Sequence, residues 1–367
     1  MGNLESIYGG KKVLITGHTG FKGSWLSMWL VKLGAEVIGI SDQIPTTPSN
    51  YEASNISDKI HDYRIDIMDF DAVNQVVLTH NPDFIFHLAA QSLVYPAYEE
   101  PVKTLMVNSI GTINVLESIR QSKKPVIAIM ITSDKAYDNV EWVWGYKESD
   151  RLGGKDPYSA SKGMAELAIK TYVESYFNEP VEGVRLGIAR AGNVIGGGDW
   201  AEKRIVPDCM EAWRANKIVD IRRPDATRPW QHVLEPLSGY LTLGMELYND
   251  STIHGEAYNF GPSANQNYSV RNLIDEMKLS WKNVRWNDTS NNESHLHEAG
   301  LLKLNCDKAL FDLSWLPTME FQETVRMTVD WYKAFYEADG TEMHDFTCSQ
   351  IDAYSRMGRD RGRKWTK

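Results

Sequence analysis

Cysteine is scarce in this chain, long apolar runs are missing, and basic residues do not outnumber acidic ones. The 367 residues include three widely spaced cysteines, Cys209, Cys306 and Cys348, so neither a disulfide framework nor a clustered metal motif is expected. No apolar run approaches the ~18 residues of a membrane span, and the N-terminus lacks a basic region followed by an apolar stretch. The 39 basic and 49 acidic residues give a net charge of −10, which argues against general nucleic-acid binding. These absences predict a cytoplasmic protein with no metal, no membrane and no nucleic-acid partner.

A glycine-rich turn is the most informative feature that is present. Four β-favouring residues at 13–16 precede glycines at positions 17, 20 and 23, and an apolar helical pattern follows as far as Leu33. This order predicts a strand, a tight turn and a helix whose N-terminus faces an anion. Because glycines let the backbone approach a pyrophosphate and the helix dipole favours its charge, the segment indicates a dinucleotide site.

Short apolar segments alternate with longer helical patterns along the first half of the chain. Strands are predicted at residues 13–16, 37–40, 84–87, 126–131 and 186–190, and helices at 22–33, 71–79, 101–121 and 157–177. The alternation predicts an α/β fold, a Rossmann-like doubly wound parallel sheet covered by helices on both faces. Ligands bind at the carboxyl ends of such strands, where Gly17, His87, Ser133 and Asn193 would converge.

The pattern loosens after three glycines at 196–198, where tryptophan, arginine and proline become frequent. We assign residues 1–195 to the Rossmann domain, with returns near 232–261 that include a strand at 257–260. Residues 196–345 are assigned mainly to a smaller C-terminal lobe that covers the substrate. The last segment, 346–367, is rich in arginine and lysine, and this composition predicts a solvated or frayed basic tail, with contact with an anionic partner as the alternative.

Tyr158 and Lys162 stand four residues apart in a predicted helix. Asp156 suits the N-cap of that helix and Pro157 its first position, so the two side chains share one face. A tyrosine with a pKa near ~10 is a poor base at neutral pH, but a neighbouring ammonium group can lower that pKa by ~1–3 units. The pair therefore predicts proton transfer with a sugar hydroxyl.

With both motifs in place, the chain resembles the extended short-chain dehydrogenase/reductases and, more closely, the CDP-glucose 4,6-dehydratase family. The resemblance covers about residues 11–336 and rests on blocks at 17–26, 88–94, 132–135, 142–146, 191–200 and 228–233. The tryptophan-rich block at 142–146 and the Gly-Gly-Gly-Asp-Trp block at 196–200 are far more specific than the glycine turn.

The resemblance implies an internal redox cycle on a nucleotide-sugar substrate, feeding deoxysugar synthesis. NAD+ would take a hydride from C4 of the glucosyl ring while Tyr158 accepts the hydroxyl proton, water would leave across C5 and C6, and the hydride would return to C6. Ser133 would bond the C4 oxygen, and Asp134 would protonate the departing hydroxyl. Lys135 stands where the dTDP-glucose branch has a glutamate base. It is interpreted either as the C5 base, which requires a pKa lowered toward ~7, or as a cation that orients Asp134 or the substrate. Lys162 completes the catalytic set.

For the cofactor the resemblance implies a larger set of contacts. They are Gly17, Thr19, Gly20, Phe21, Lys22, Gly23, Asp42, Asp66, Ile67, Ala89, Ala90, Gln91, Asn108, Tyr158 and Lys162. Asp42 comes one residue later than the acid that usually bonds the ribose of NAD, so it either reaches the ribose or ends the strand. The dipeptide at 66–67 either contacts the adenine or forms a strand-end turn. NAD is expected, and the lack of a nearby arginine disfavours NADP.

A nucleotide-sugar substrate needs cations for its diphosphate and aromatic rings for its base. By resemblance, the substrate contacts are Ser92, Asn193, Trp200, Lys203, Arg204 and Arg228. Trp142 and Trp144 are further ligand candidates because irregular segments flank them, whereas Arg222 fits a solvated turn and a ligand contact equally well. A homodimer or homotetramer is expected, because the family usually associates through helices that include the one carrying Tyr158.

Other functions stay open at this point. Another nucleotide-sugar 4,6-dehydratase would share every feature named so far. A nucleotide-sugar 4-epimerase needs NAD, Ser133 and Tyr158 but no acid–base pair for water loss, so the dipeptide at 134–135 favours dehydration. A non-catalytic dinucleotide sensor on the same fold typically loses the catalytic tyrosine or lysine, and both are present here.

Overall fold

The computed structural model describes residues 2–122, 124–178, 183–290, 301–337 and 342–367. The strands in this part of the chain are β1 (Lys12–Thr16), β2 (Glu36–Ser41), β3 (His61–Arg64), β4 (Phe84–His87), β5 (Val126–Ile131), β6 (Val184–Ala191), β7 (Val194–Ile195), β8 (Val219–Ile221), β9 (Thr227–Arg228), β10 (Gln231–His232), β11 (Ala257–Phe260), β12 (Tyr268–Ser269) and β13 (Trp286–Asp288). Seven of them form one central sheet in the order β3-β2-β1-β4-β5-β6-β11.

Helices cover the sheet and build the rest of the molecule. They are α1 (Gly2–Tyr8), α2 (Phe21–Lys32), α3 (Asn50–Ala53), α4 (Phe70–His80), α5 (Val94–Glu99), α6 (Pro101–Ser122), α7 (Pro157–Tyr176), α8 (Ile205–Arg214), α9 (Leu234–Asn249), α10 (Val270–Ser280), α11 (Asp307–Leu313), α12 (Phe321–Glu337) and α13 (Met343–Asp360). Within the described ranges, none of these helices combines the length and the apolar character that crossing a membrane requires.

The central sheet is parallel throughout, because each strand follows a helix that returns the chain to the same edge. Its middle strands are continuous apolar runs and are buried on both faces, as a parallel sheet requires. The strand order reverses between β1 and β4, and their last residues, Thr16 and His87, are in register. This reversal creates the crevice in which open α/β sheets bind ligands.

The predicted doubly wound fold is confirmed, and the predicted strands and helices agree with the observed ones to within two residues. The strand β3 is absent from the prediction. Its residues, His-Asp-Tyr-Arg, are polar because the strand lies at the sheet edge, where it is only half-buried. Apolar periodicity therefore gives no signal there.

Beyond residue 193 the chain forms small pairs of strands rather than a second large sheet. The pairs are β7 with β10, β8 with β13 and β9 with β12. The boundaries that we assign to the Rossmann domain and the smaller lobe remain a prediction.

The prediction of a solvated basic tail is wrong. Most of the segment is the helix α13. The segment packs against the sheet domain through Tyr354 of α13 and Trp365 after it, and both side chains are almost fully buried. The Trp365 ring lies 5.7 Å from that of Trp29 on α2. Most of the basic residues are exposed, and two of them pair with acids elsewhere, Arg361 with Glu323 and Lys364 with Glu246. Because basic residues are so frequent in this segment, the amphipathic pattern of α13 was not recognised in the sequence.

Candidate active site

The glycine turn after β1 has the shape that a pyrophosphate needs. Gly17 has a φ of +78°, and a Cβ there would lie 2.7 Å from the backbone nitrogen of Ala89. A Cβ at Gly23 would overlap the carbonyl oxygen of Gly17. The helix α2 begins at Phe21 with no side-chain cap, so its first N–H groups are available to an anion. The residues present therefore fit a dinucleotide.

Thr19 and Asp42 lie where the adenosine ribose of a dinucleotide would be expected. The Thr19 hydroxyl donates to the carbonyl of Gln43 at 2.7 Å, which ties the glycine turn to the segment after β2. Asp42 is exposed, and its Oδ1 accepts only from the backbone of Gln43 at 2.8 Å. A ribose contact by Asp42 remains a prediction.

Contrary to the expectation from the sequence, an arginine does lie close to the end of β2. Arg64 ends β3 directly opposite Ser41 at the end of β2. Its guanidinium is held by Asp62 and the hydroxyl of Tyr51, each at 2.9 Å. The arginine is therefore engaged with its own strand and an adjacent helix.

The two residues of the predicted adenine contact, Asp66 and Ile67, lie in different environments. Asp66 is exposed, and its Oδ1 accepts from the backbone of Met68 at 2.9 Å. Ile67 is buried in an apolar cluster, with its side chain against Gly111 of α6. Both sit just beyond β3, so an adenine contact is sterically compatible with the strand-end turn that is observed.

The segment from Ala89 to Gln91 follows β4 and is held in place by Asn108 of α6. The Asn108 side chain accepts from the Gln91 backbone at 2.8 Å and donates to the Gln91 carbonyl at 2.9 Å. It also donates to Ser161 of α7 at 2.8 Å. Asn108 thus acts on the predicted cofactor segment as a support that joins it to the helix carrying Tyr158.

Tyr158 and Lys162 lie on the first turns of α7, which Asp156 caps by accepting from the Ser159 backbone at 3.0 Å. Their side chains are buried, with exposures of 8% and 7%. Burial raises the pKa of Tyr158 to about 12, although hydrogen bonding from Ser133 opposes this rise. Burial lowers the pKa of Lys162 to about 8.

The expected lowering of the Tyr158 pKa is not observed, because burial outweighs the influences that lower it. The free-energy cost of removing the phenolate from water exceeds the stabilisation that the surrounding charges provide. Arg204 favours the phenolate, whereas the carboxylate of Asp134 disfavours it. The pKa values of Tyr158 and Lys162 are both shifted in the direction that favours the neutral form.

Ser133, Asp134 and Lys135 form a short turn directly after β5. The Ser133 hydroxyl donates to the Asp134 carboxylate at 3.0 Å and accepts from the Lys135 backbone at 3.2 Å. Burial raises the pKa of Asp134, and the nearby Lys135 is the largest influence in the opposite direction. The turn contacts α7, and both the Ser133 hydroxyl and the Asp134 charge act on Tyr158 at the carboxyl edge of the sheet.

Lys22 belongs to the predicted cofactor set, but its side chain reaches the catalytic residues. Its ammonium nitrogen lies 3.4 Å from the hydroxyl of Tyr240 on α9. Burial, together with the charges of Arg204 and Lys162, lowers the pKa of Lys22 to about 8, and Asp134 opposes that change. Tyr240 lies outside the motif blocks, and it was not predicted as a site residue.

Two of the predicted diphosphate cations, Lys203 and Arg204, directly precede α8, and the charge of Arg204 acts on Tyr158. Arg204 pairs with Asp199 at 2.8 Å, and the ammonium of Lys203 sits 4.4 Å from the ring centroid of Tyr95. Arg222 donates to the Tyr95 hydroxyl at 2.6 Å. Tyr95 was missed by the sequence analysis, and it brings the ambiguous Arg222 beside the predicted Lys203.

The remaining predicted substrate residues differ in their accessibility. Ser92 is exposed and Asn193 is half-buried, and Arg228 is half-buried with a bond to the Thr227 carbonyl. Trp200 is buried, and its ring lies 5.6 Å from that of Trp331. The structure therefore gives Trp200 a packing role, and a contact with substrate remains only a prediction.

A buried ion pair behind the catalytic residues was also missed. The Glu166 carboxylate accepts from the Thr132 hydroxyl at 2.6 Å and from Nε of Arg190 at 2.7 Å. Arg190 in β6 donates in turn to the hydroxyl of Tyr137 at 2.7 Å. Glu166 lies one turn after Lys162 on the same helix face, and that spacing is the sequence signal that could have identified it.

The sequence of the chain is similar to those of known proteins. A family model described as GDP-mannose 4,6 dehydratase matches residues 14–328. A curated CDP-glucose 4,6-dehydratase of Salmonella typhimurium (strain LT2) is 43% identical over 339 residues, which are 91% of this chain and 94% of that protein.

Solved structures share the fold over most of their length. The epimerase Mth375 of Methanothermobacter thermautotrophicus has a TM-score of 0.78 at 24% identity, over 92% of this chain and 96% of that one. The dTDP-glucose 4,6-dehydratase of Bacillus anthracis, in complex with NAD, has a TM-score of 0.73 at 19% identity, over 89% and 98% of the two chains.

Proposed function

This chain belongs to the GDP-mannose 4,6-dehydratase family, and on that premise we propose that it converts CDP-D-glucose to CDP-4-keto-6-deoxy-D-glucose. The Salmonella relative, which is named for this substrate, supports the choice of base and sugar. NAD is the cofactor, and the glycine turn and the segment 89–91 would hold it. The product is a precursor of the kind that deoxysugar synthesis consumes.

The first step assigned to the chain's own residues is proton removal from the C4 hydroxyl. Ser133 would hold the C4 oxygen, and Tyr158 would exchange the proton. Because burial lowers the pKa of Lys162 to about 8, its ammonium releases a proton readily near neutral pH and can pass it to or from the phenol. The glycine turn and the segment 89–91 would hold NAD+, which would supply the reversible hydride chemistry that links C4 oxidation to C6 reduction.

The second step is the loss of water from the 4-ketone, whose C5 hydrogen is acidic. Lys135 would remove that proton, and Asp134 would protonate the departing C6 hydroxyl. Because burial raises the pKa of Asp134, the carboxyl group keeps its proton to a higher pH than usual, as a general acid needs. C6 then gains the hydride and C5 a proton, so the net change is one lost water and no second redox substrate is consumed.

The observation that supports the proposal is the turn at 134–135, where the charge of a buried carboxyl group acts on Tyr158 and a lysine directly follows that carboxyl group. A 4-epimerase exchanges hydride and proton at C4 alone and has no use for this second acid–base pair. The alternative interpretation of Lys135, as a cation that orients Asp134, is compatible with dehydration and is separated from the base role by mutation.

The proposed function is tested by incubating the protein with NAD+ and CDP-glucose, and separately with dTDP-, UDP- and GDP-sugars. Mass spectrometry of the nucleotide sugars gives the readout. We expect loss of one water from CDP-glucose, at a rate well above that of the other nucleotides. A product of unchanged mass with inverted C4 would instead support the epimerase, and preference for another nucleotide would overturn the assignment of the base.

We further propose that the chain acts as a homodimer in the cytoplasm. The three cysteines are free thiols, as in a reducing compartment. The helices α6 and α7 pack side by side and expose five large apolar side chains, which are Val102, Met106, Ile110, Met164 and Leu167. Soluble proteins seldom leave such a patch uncovered, and a two-fold dimer is the commonest way to bury it.

A further inference from the structure

A pocket of about 240 Å³ opens between the segment 143–145, the segment 303–305 and the residues that follow β6. Pockets for drug-sized ligands span roughly 300–1,000 Å³, so this one is the right size for a single sugar ring rather than for a whole nucleotide sugar. Trp144, Lys303 and Gly192 line it. Of these only Trp144 was considered as a ligand contact, without a defined role.

The position of the pocket links it to the reacting end of the substrate. A Cβ at Gly192 would lie 2.5 Å from Oδ2 of Asp134, so the pocket wall is also the support of the proposed acid. Pro229, on another wall, directly follows Arg228, one of the predicted diphosphate cations. In a nucleotide sugar the hexose carries the reacting carbons and is joined to the diphosphate at C1, whereas the base lies on the far side of the diphosphate.

The chemistry of the walls suits a sugar ring. Trp144 leaves 71% of its surface exposed, and an indole face packs against the C–H groups of a pyranose while its N–H remains available for hydrogen bonding. The ammonium of Lys303 has no hydrogen-bond or ion-pair partner among the residues that the structure describes, and it carries three donors. A hydroxyl-rich neutral ring would satisfy both groups.

The two walls are held against each other by the backbone. The Tyr146 nitrogen donates to the Lys303 carbonyl, and the Asn305 nitrogen donates to the Tyr146 carbonyl, both at 2.9 Å. Gly145 makes this approach possible, because a Cβ there would lie 2.8 Å from the Asn305 nitrogen. The spacing of Trp144 and Lys303 is therefore set before any ligand binds, which lowers the entropic cost of recognition.

We propose that Trp144 and Lys303 form a hexose subsite that recognises the sugar rather than the nucleotide. The ring packs its C–H face on the indole, and the ammonium donates a hydrogen bond to a ring hydroxyl. The inference rests on the proposed function and adds to it the residues that distinguish a CDP-hexose from free CDP.

The test is a calorimetric comparison of CDP-glucose and CDP as ligands of the NAD-loaded protein. It is performed in the Tyr158→Phe background so that the sugar nucleotide is not consumed. We expect Lys303→Met to weaken CDP-glucose binding by about tenfold to a hundredfold, the usual effect of losing a charged hydrogen bond, and to leave CDP binding unchanged. Trp144→Ala should show the same selectivity. Lys308→Met is the matched control, because Lys308 pairs with Glu256 at 2.6 Å and does not line the pocket.

Equal weakening of CDP and CDP-glucose in Lys303→Met would overturn the subsite, and so would no weakening of either. A failure of the proposed function is a separate result, because it consists of an absent dehydration product from the wild-type protein. The calorimetric selectivity is measured without turnover and does not depend on that product.

Discussion

Burial shifts the pKa values of four side chains of the cleft in the direction that favours the neutral form. It raises the pKa of Tyr158 to about 12 and lowers those of Lys162 and Lys22 to about 8. Asp134 is shifted upward for the same reason. The lowered pKa values of the two lysines lie near neutral pH, which is the range that acid–base catalysis needs.

Replacing Tyr158 by phenylalanine removes the phenol and keeps the ring. We expect the rate of 4-keto product formation to fall by a factor of about 10² to 10⁴, the usual contribution of a positioned acid–base group. NAD binding, followed by the quenching of tryptophan fluorescence, should change little. Product formation at the wild-type rate would remove Tyr158 from the mechanism.

Lys135→Ala separates the two interpretations of this lysine. If Lys135 is the C5 base, the reaction stalls after oxidation at C4, and enzyme-bound NADH accumulates as absorbance at the near-ultraviolet band of the reduced ring. Lys147→Ala is the control, because that lysine is exposed on the loop that follows. Water loss at the normal rate in Lys135→Ala, without accumulated NADH, would reduce the lysine to an orienting role or none.

Motifs that lie within one segment were predictable, whereas contacts between distant segments were not. The glycine turn, the Tyr158–Lys162 pair and the turn at 133–135 are local patterns with a known geometry. Tyr95 and Arg222 are 127 positions apart, and nothing in either segment indicates that they meet. The size of the burial effect on Tyr158 was also unpredictable, because it depends on every side chain around the phenol.

At the scale of elements, the buried Glu166–Arg190 pair connects α7 with β6 and with the end of β5 through Thr132. This arrangement sets the helix that carries Tyr158 against the turn that carries Asp134. Breaking a buried pair by removing one partner leaves an uncompensated charge in the interior. The pair is therefore expected to position the catalytic elements as well as to stabilise the fold.

We expect Glu166→Ala to lower the free energy of unfolding by about 3–5 kcal/mol, as measured by urea denaturation. The matched control is Glu174→Ala on the same helix, whose pair with Lys170 is exposed and should contribute less than about 0.5 kcal/mol. A loss of less than about 1 kcal/mol in Glu166→Ala would show that the interior tolerates the unpaired arginine, contrary to this account.

The strands and helices of the sheet domain that have a buried apolar face were predictable because their periodicity reports burial. The helices α8, α10 and α12 also bury one face, but they were not predicted because they lie where the regular alternation of strands and helices ends. The strand β3 and the helix α13 were missed for opposite reasons. β3 is an edge strand whose polar residues carry no apolar signal. In the last fourteen residues, six arginines and lysines stand beside only two large buried side chains, Tyr354 and Trp365. Composition alone therefore describes the outer face of the segment.

At the scale of the whole molecule, the exposed apolar face of α6 and α7 predicts the oligomeric state. Leu167→Glu places a charge in the proposed interface, where burial is costly, and should convert a dimer into a monomer in sedimentation velocity. Leu279→Glu is the control, because Leu279 is at least as exposed but lies on α10. Equal sedimentation of wild type and Leu167→Glu would place the interface elsewhere.

The proposal that one cofactor oxidises C4 and reduces C6 of the same sugar is tested most directly with CDP-glucose deuterated at C4. The account predicts that the product has lost one water and carries the deuterium at C6, as shown by mass spectrometry and proton NMR, with no net change in NAD+. Deuterium lost from the product, or retained at C4 without loss of water, would contradict an internal transfer from C4 to C6.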